Sequence, residues 1–203
     1  MDRLLYQGRA SIRIITREGK VIYIDPFAGC GYDYSADLIL ITHEHFDHNK
    51  VELIQNKNPD CRIIRSKDAM VDGGYKTFDL GYVRVCAVEA GYNKNHSVED
   101  CVGYVITLSS GISIYVSGDT SITRQMPELS KMNIDYAFFC CDGEYTMGME
   151  EAIEAAGLVL AKHNIPYHIT GEITDYFDRA KAEKFEVNGK MILENGQEIN
   201  LQK

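Results

Sequence analysis

Thr42-His43-Glu44-His45-Phe46-Asp47-His48-Asn49 holds three of the chain's six histidines and two carboxylates within the six positions 43–48. It directly follows Asp37-Leu38-Ile39-Leu40-Ile41-Thr42, a run too short for a helix and apolar without alternation, which predicts a strand buried on both faces. On an extended exit from that strand, residues two apart point the same way, so His43 and His45 can reach one metal together. As the chain turns toward the next element, Asp47 and His48 are directed elsewhere, toward a second, adjacent site. Imidazole with carboxylate suits Zn²⁺, Fe or Mn²⁺, and the lack of a nearby cysteine pair argues against a closed structural zinc site. The blander reading, a polar loop with surface histidines, fits poorly with such density after a buried strand.

Working outward, the first half alternates short β-patterned runs with turn signals. Ser11–Arg17 and Val21–Asp25 read as a hairpin turned at Glu18-Gly19-Lys20 and closed by Asp25-Pro26. Val51–Asn56 reads as a short helix ended by Asn58-Pro59, followed by a strand over Cys61–Arg65. The second half repeats this grammar, with strands predicted over Tyr82–Val88, Cys101–Leu108, Ile112–Ser117, Ile134–Cys141 and Ile165–Thr170. Its longest helical pattern is Met149–Lys162, where Met149, Ala152, Ile153, Ala156 and Leu160 share a face and Thr146 is placed to cap the start. A helix around Asp175–Lys184 and a hairpin over Met191–Leu201, turned at Asn195-Gly196, close the chain. No linker, low-complexity tract or short repeat interrupts it. Strands with helices between and after them predict two packed sheets with helices outside, in one domain spanning 1–203.

Further metal-binding side chains stand at predicted element ends. His96 follows Gly91-Tyr92-Asn93-Lys94-Asn95; Asp119 follows Gly118, where a glycine lets the backbone turn tightly after a strand; His168 ends Asn164-Ile165-Pro166-Tyr167-His168. Each alone passes as a loop His, a turn Asp or a core His. Together they put five of six histidines at element ends, with only His163 on a helical pattern.

In that order these motifs resemble the metallo-β-lactamase superfamily, and within it the branch of small cytoplasmic hydrolases similar to ascorbate-6-phosphate lactonase. The resemblance runs from roughly Ile12 to Thr170 through Ile24-Asp25-Pro26-Phe27, His43-x-His45-x-Asp47-His48, Tyr92-Asn93 with His96, Gly118-Asp119-Thr120, and Thr146-Met147 leading into Ile165-Pro166-Tyr167-His168. It implies an α/β (α+β) four-layer αββα sandwich carrying its ligands on loops at one edge. It further implies two divalent metal ions, Zn²⁺ foremost with Mn²⁺ or Fe as alternatives. His43, His45 and His96 would hold the first; Asp47, His48 and His168 the second; Asp119 would bridge them. Asp25 would orient the metal-binding loop, and Asp47 would orient or deprotonate the nucleophile. The implied reaction is hydrolysis of an ester, lactone, amide or phosphodiester in a small molecule by a metal-activated hydroxide. The diiron redox branch of the fold typically has Glu where this chain has His45, which favours hydrolysis.

Composition narrows the remaining options. At 203 residues, 45% hydrophobic, the chain suits one globular domain. The start, Met1-Asp2-Arg3-Leu4-Leu5-Tyr6-Gln7, lacks the order of a signal peptide, and no apolar run nears the roughly 20 residues of a membrane-spanning helix; both favour a soluble cytoplasmic protein without a membrane partner. A net charge of −9 with no basic run argues against a nucleic-acid partner, and so against the superfamily's nucleases. A metal-stabilised binding or regulatory domain without turnover is the non-enzyme alternative. The six cysteines show no CxxC spacing and read as reduced core thiols. For recognition of an anion, Lys50, Lys94 and Arg124 are the nearest cations in sequence. The acidic stretch Cys141-Asp142-Gly143-Glu144-Tyr145 would disfavour a phosphorylated substrate if it faced the site.

Overall fold

The computed structural model describes residues 1–170 and 177–203. Five strands open the chain: β1 (Arg3–Gly8), β2 (Ser11–Ile15), β3 (Val21–Ile24), β4 (Ala36–Leu40) and β5 (Lys57–Ile64). A small ribbon, β6 (Met70–Val71) with β7 (Gly74–Tyr75), leads into β8 (Thr77–Asp79), β9 (Val83–Glu89), β10 (Val102–Leu108), β11 (Ser113–Val116), β12 (Tyr136–Cys140) and β13 (His163–Tyr167). The last strand, β14 (Gln197–Asn200), returns to the first sheet. The sheets run β14-β1-β2-β3-β4-β5 and β13-β12-β11-β10-β9-β8, each with six strands. Each mixes antiparallel pairs with two parallel ones: β3-β4 and β4-β5 in the first sheet, β11-β12 and β12-β13 in the second.

β4 is buried at every position, as its unbroken apolar run predicts, because both faces of the first sheet are covered. One face joins the main core, which extends from Leu4 to Leu201 and lies against the second sheet. The other carries a smaller cluster that includes Ile15, Tyr23, Ile39, Ile41 and Ile54. The αββα order holds, with the layer over the first sheet reduced to loops and a 3₁₀ turn at Val51–Leu53, the remnant of the helix expected to reach Asn56.

Over the second sheet lies the helix Met149–Val159, whose buried face of Ala152, Ala155, Ala156 and Val159 lets its backbone approach β12 closely. It ends three residues before the expected Lys162, because Leu160 takes a left-handed conformation and Lys162 N–H donates to Ile134 O, starting β13. His163 therefore begins a strand instead of lying on a helix. Thr146 is no cap: Gly148 stands there, and Thr146 bonds Asp142 instead. Near the C-terminus, helix Arg179–Ala182 replaces the longer one expected, whose first two residues, Asp175 and Tyr176, lie outside the described residues. Asn195-Gly196 does turn the chain, but no hairpin forms; β14 pairs with β1. Of the six cysteines, all free, Cys101, Cys140 and Cys141 are core residues, whereas Cys30 is exposed and Cys61 and Cys86 are half-buried.

The two sheets are tied at one end. Val102 N–H at the start of β10 donates to Thr42 O just past β4, at 2.9 Å. Gly118, with φ +62, fits into this junction: a Cβ there would stand 2.8 Å from Val102 O and 3.1 Å from Thr42 Cβ. Gly118→Ala is therefore expected to cost about 2–4 kcal/mol, from left-handed strain plus overpacking against backbone, read as a lowered urea midpoint with an unchanged m-value.

Candidate metal centre

Loops at this tied end bring all seven expected metal-binding residues together, four from the loop after β4 and three from loops belonging to the second sheet. His43, His45 and His96 form one group with ligand atoms within 4.8 Å of one another; Asp47, His48 and His168 form a second; His43, His48 and Asp119 form a third that joins them. Asp119 is central, with Oδ2 at 3.9, 3.4, 3.3 and 3.5 Å from Nε2 of His43, His48, His96 and His168.

The inward-facing ring atoms are set by what holds the outward-facing ones. His48 Nδ1 lies 2.8 Å from Asp25 Oδ2, His43 Nδ1 3.1 Å from Thr42 Oγ1, and His96 Nδ1 3.1 Å from Asn93 Oδ1. His168 Nδ1 lies 3.2 Å from Asp142 Oδ2. In a neutral ring such an acceptor favours the proton on Nδ1 and leaves the Nε2 lone pair to a metal. His45 is turned the other way, with Nδ1 3.1 Å from His96 Nε2. Nε2 of His43, His48 and His168, and Asp119 Oδ1, are buried without a hydrogen-bond partner among the described residues. Buried polar atoms left in this state are costly unless a cation completes them. The donor set, imidazole and carboxylate with no thiolate, fits zinc, iron or manganese.

Asp25 lies behind His48, one layer out from the cluster. Fully buried and at φ +45, it accepts from Thr42 N–H (2.8 Å) and Thr42 Oγ1 (2.6 Å) as well as holding His48. The left-handed region is unusual for residues other than glycine, yet Arg9, Asp25, Tyr92 and His168 all adopt it around the site. Sequence reading missed Arg9 and the role of Asp142. Arg9 sits in the β1–β2 turn; its Nε donates to Asp47 Oδ2 at 2.6 Å, and its carbonyl accepts from His168 N–H at 2.9 Å. Asp142 Oδ1 accepts three successive backbone N–H groups, Glu144, Tyr145 and Thr146, leaving Oδ2 for His168.

Charge follows this geometry. Burial would push the His168 imidazole down, but Asp119, Asp142 and Asp47 lift it to about 9. Burial likewise works against His48, yet Asp119 and Asp25 hold it well above the usual range. His43, buried and facing His48, is held well below it. Despite burial, His168 and His48 keep Asp119 ionised far below the usual carboxylate range. A raised folded-state value gives stability that is complete below the unfolded pKa and lost as pH climbs through the folded one. Chelator-treated protein is therefore expected to lose on the order of 3 kcal/mol from His168 as pH rises from 6.5 to about 9, measured by denaturant melts across that window.

A cavity of about 450 Å³ opens over the cluster, with Arg9, Phe46, Asn95 and Tyr145 among its walls. Arg9 is its one arginine or lysine among the described lining residues. Lys50 instead lies over the Phe27 ring and Arg124 over Tyr92, and Lys94 is not in the wall. Of the acidic stretch only Tyr145 lines the cavity, because Asp142 is turned to its own backbone and His168; the stretch brings no carboxylate to the wall.

A model of the beta-lactamase superfamily domain matches residues 3–168, and the chain belongs to that superfamily. It is 31% identical over 194 residues to a UPF0173 metal-dependent hydrolase of Thermococcus onnurineus, covering 83% of this chain and 84% of that one, and 28% identical over 232 residues to one of Pyrococcus furiosus, covering 99% and 100%. More narrowly, then, it is a member of the UPF0173 metal-dependent hydrolases and an enzyme of that class. Igni18, a metallo hydrolase of Ignicoccus hospitalis solved by others, shares the fold with a TM-score of 0.79 at 18% identity over 100% of this chain and 99% of that one. No helix among the described residues is long and apolar enough to cross a membrane.

Proposed function

We propose that the protein is a dinuclear hydrolase of small molecules, cleaving an ester, lactone, amide or phosphodiester bond. The observation that carries this reading is the convergence on Asp119 of buried His43, His48 and His168 Nε2 atoms that have no hydrogen-bond partner among the described residues. His43, His45 and His96 would hold one divalent cation, Asp47, His48 and His168 a second, with Asp119 between; zinc is the leading candidate, manganese and iron the alternatives. When bound, such a pair lowers the pKa of a shared water and polarises the bond to be cut.

The protein's own residues do the rest. Asp25, Thr42, Asn93 and Asp142 fix the imidazole tautomers and orientations. Burial would raise the Asp47 carboxyl, but His168, His48 and Arg9 hold it far below the usual range. It therefore stays ionised, which suits orienting a nucleophile better than taking its proton. The cavity's volume suits a small molecule. A lining with one arginine and no lysine among the described residues, together with the net charge of −9, offers no track for a nucleic-acid backbone.

The test is a panel of lactones, phosphodiesters, thioesters and amides offered to zinc-reconstituted protein, with chelated enzyme and Asp47→Ala as controls. Turnover of at least one class, abolished by chelation and reduced about a hundredfold or more in the variant, is expected. No turnover with two equivalents of metal bound, or equal turnover by Asp47→Ala, contradicts the reading.

A further inference from the structure

Arg9 stands where it can serve Asp47 as a cation does. Its Nε lies 2.6 Å from Asp47 Oδ2, in a pair whose side chains are only 5% and 8% exposed. The same oxygen faces the second histidine set, 3.8 Å from His48 Nε2 and 3.6 Å from His168 Nε2. It therefore has two rival cations: the guanidinium, and any metal held with those imidazoles. The first set has no such rival, since His43 and His96 are backed by neutral Thr42 and Asn93.

We infer that Arg9 is a positioning residue that governs loading of the second set, competing with the second metal ion for Asp47 Oδ2. The inference rests on the dinuclear reading above. In the metal-free protein Arg9 makes the closest ionic contact to the buried Asp47 carboxylate, with His48 and His168 farther off; in the loaded protein the metal ion takes that place. Deleting the guanidinium takes from the metal-free state the nearest partner of a buried charge, which in the loaded state has the metal ion as well, so the metal-free state is destabilised more. By linkage, the second metal then binds more tightly. Loss of a positive charge beside the incoming dication acts in the same direction. The backbone bond from His168 N–H to Arg9 O survives any side-chain change.

The experiment titrates chelator-treated full chain with zinc in a calorimeter, comparing wild type with Arg9→Gln, which keeps a polar donor without the charge, and Arg9→Lys, which keeps the charge. In Arg9→Gln the second equivalent is expected to bind at least about tenfold more tightly, with the first unchanged within about twofold; in Arg9→Lys the second stays within about threefold of wild type. No tightening in Arg9→Gln, or equal tightening in Arg9→Lys, overturns the inference. If metal-free Arg9→Gln fails to fold, wild type still decides. The Arg9 Nε–H signal in a nitrogen-resolved NMR spectrum, assigned by its loss in Arg9→Lys, should be unmoved by the first equivalent and displaced by the second. A signal unmoved by both overturns the inference while two bound equivalents leave the dinuclear reading intact. Fewer than two equivalents in wild type and both variants overturns both.

Discussion

Asp119→Asn is expected to lower hydrolysis by about a thousandfold or more, roughly 4 kcal/mol of lost transition-state stabilisation, and, on the dinuclear reading proposed above, to cut bound metal from two equivalents toward one. Its carboxylate reaches both histidine sets: Oδ2 is within 3.5 Å of His48, His96 and His168, and Oδ1 is buried without a partner among the described residues. Asparagine keeps the shape but loses the anion and offers one oxygen in place of two. It also presents an amide N–H₂ to imidazole nitrogens whose lone pairs face inward. The removed charge is the largest of those that offset burial at His48 and His168. Elemental analysis of the purified variant, paired with turnover of whichever panel substrate wild type accepts, measures both effects. Wild-type metal content with wild-type turnover would show that Asp119 is not the shared ligand.

Asp25 is expected to be nearly as sensitive without touching substrate. Asp25→Ala strands Thr42 N–H and the His48 Nδ1 proton in a fully buried setting and puts alanine at φ +45. The expected loss is about 3–5 kcal/mol, readable in chemical denaturation. Asp25→Asn is the sharper probe. If its carbonyl oxygen keeps Thr42 N–H, its amide nitrogen faces His48 Nδ1, which must then accept. The proton moves to Nε2 and closes the lone pair that faces Asp47 and Asp119. The folded variant is expected to lose about 10- to 100-fold in affinity for the second metal equivalent. Equal zinc affinity in wild type and Asp25→Asn would rule out this tautomer control.

The histidine-rich loop and its preceding strand were legible because both signals are local: Leu38 to Ile41 are apolar at consecutive positions, and three of the seven clustered groups, His43, Asp119 and His168, lie within two residues of a predicted strand end. The expectation that His43 and His45 join one set, and Asp47 and His48 another, matches the grouping in space. Misreadings arose where a distant partner decides. Asn195-Gly196 is a strong hairpin signal, but the strand after it pairs with β1, at the other end of the chain. Arg9 lies 38 residues from Asp47, and nothing around Gly8-Arg9-Ala10 marks a charged residue that turns inward. Asp142 looked like negative charge offered to solvent or ligand. Only the fold shows one of its oxygens taken by three backbone N–H groups and the other facing His168. His163 was misplaced because the helical apolar period runs past Val159, while the left-handed Leu160 ends the helix.

The tie between Thr42 O and Val102 N–H joins loops that belong to different sheets, and the candidate ligands are divided across the same seam. His43 to His48 come from one side and His96, Asp119 and His168 from the other, as much as 125 positions apart in the chain (168 − 43). Neither side alone assembles a set, since each group draws on both. Metal bound here would thus behave as a late-forming crosslink. It would leave the rate of folding nearly untouched while slowing unfolding, so that its removal shortens the lifetime of the native state more than it delays its formation.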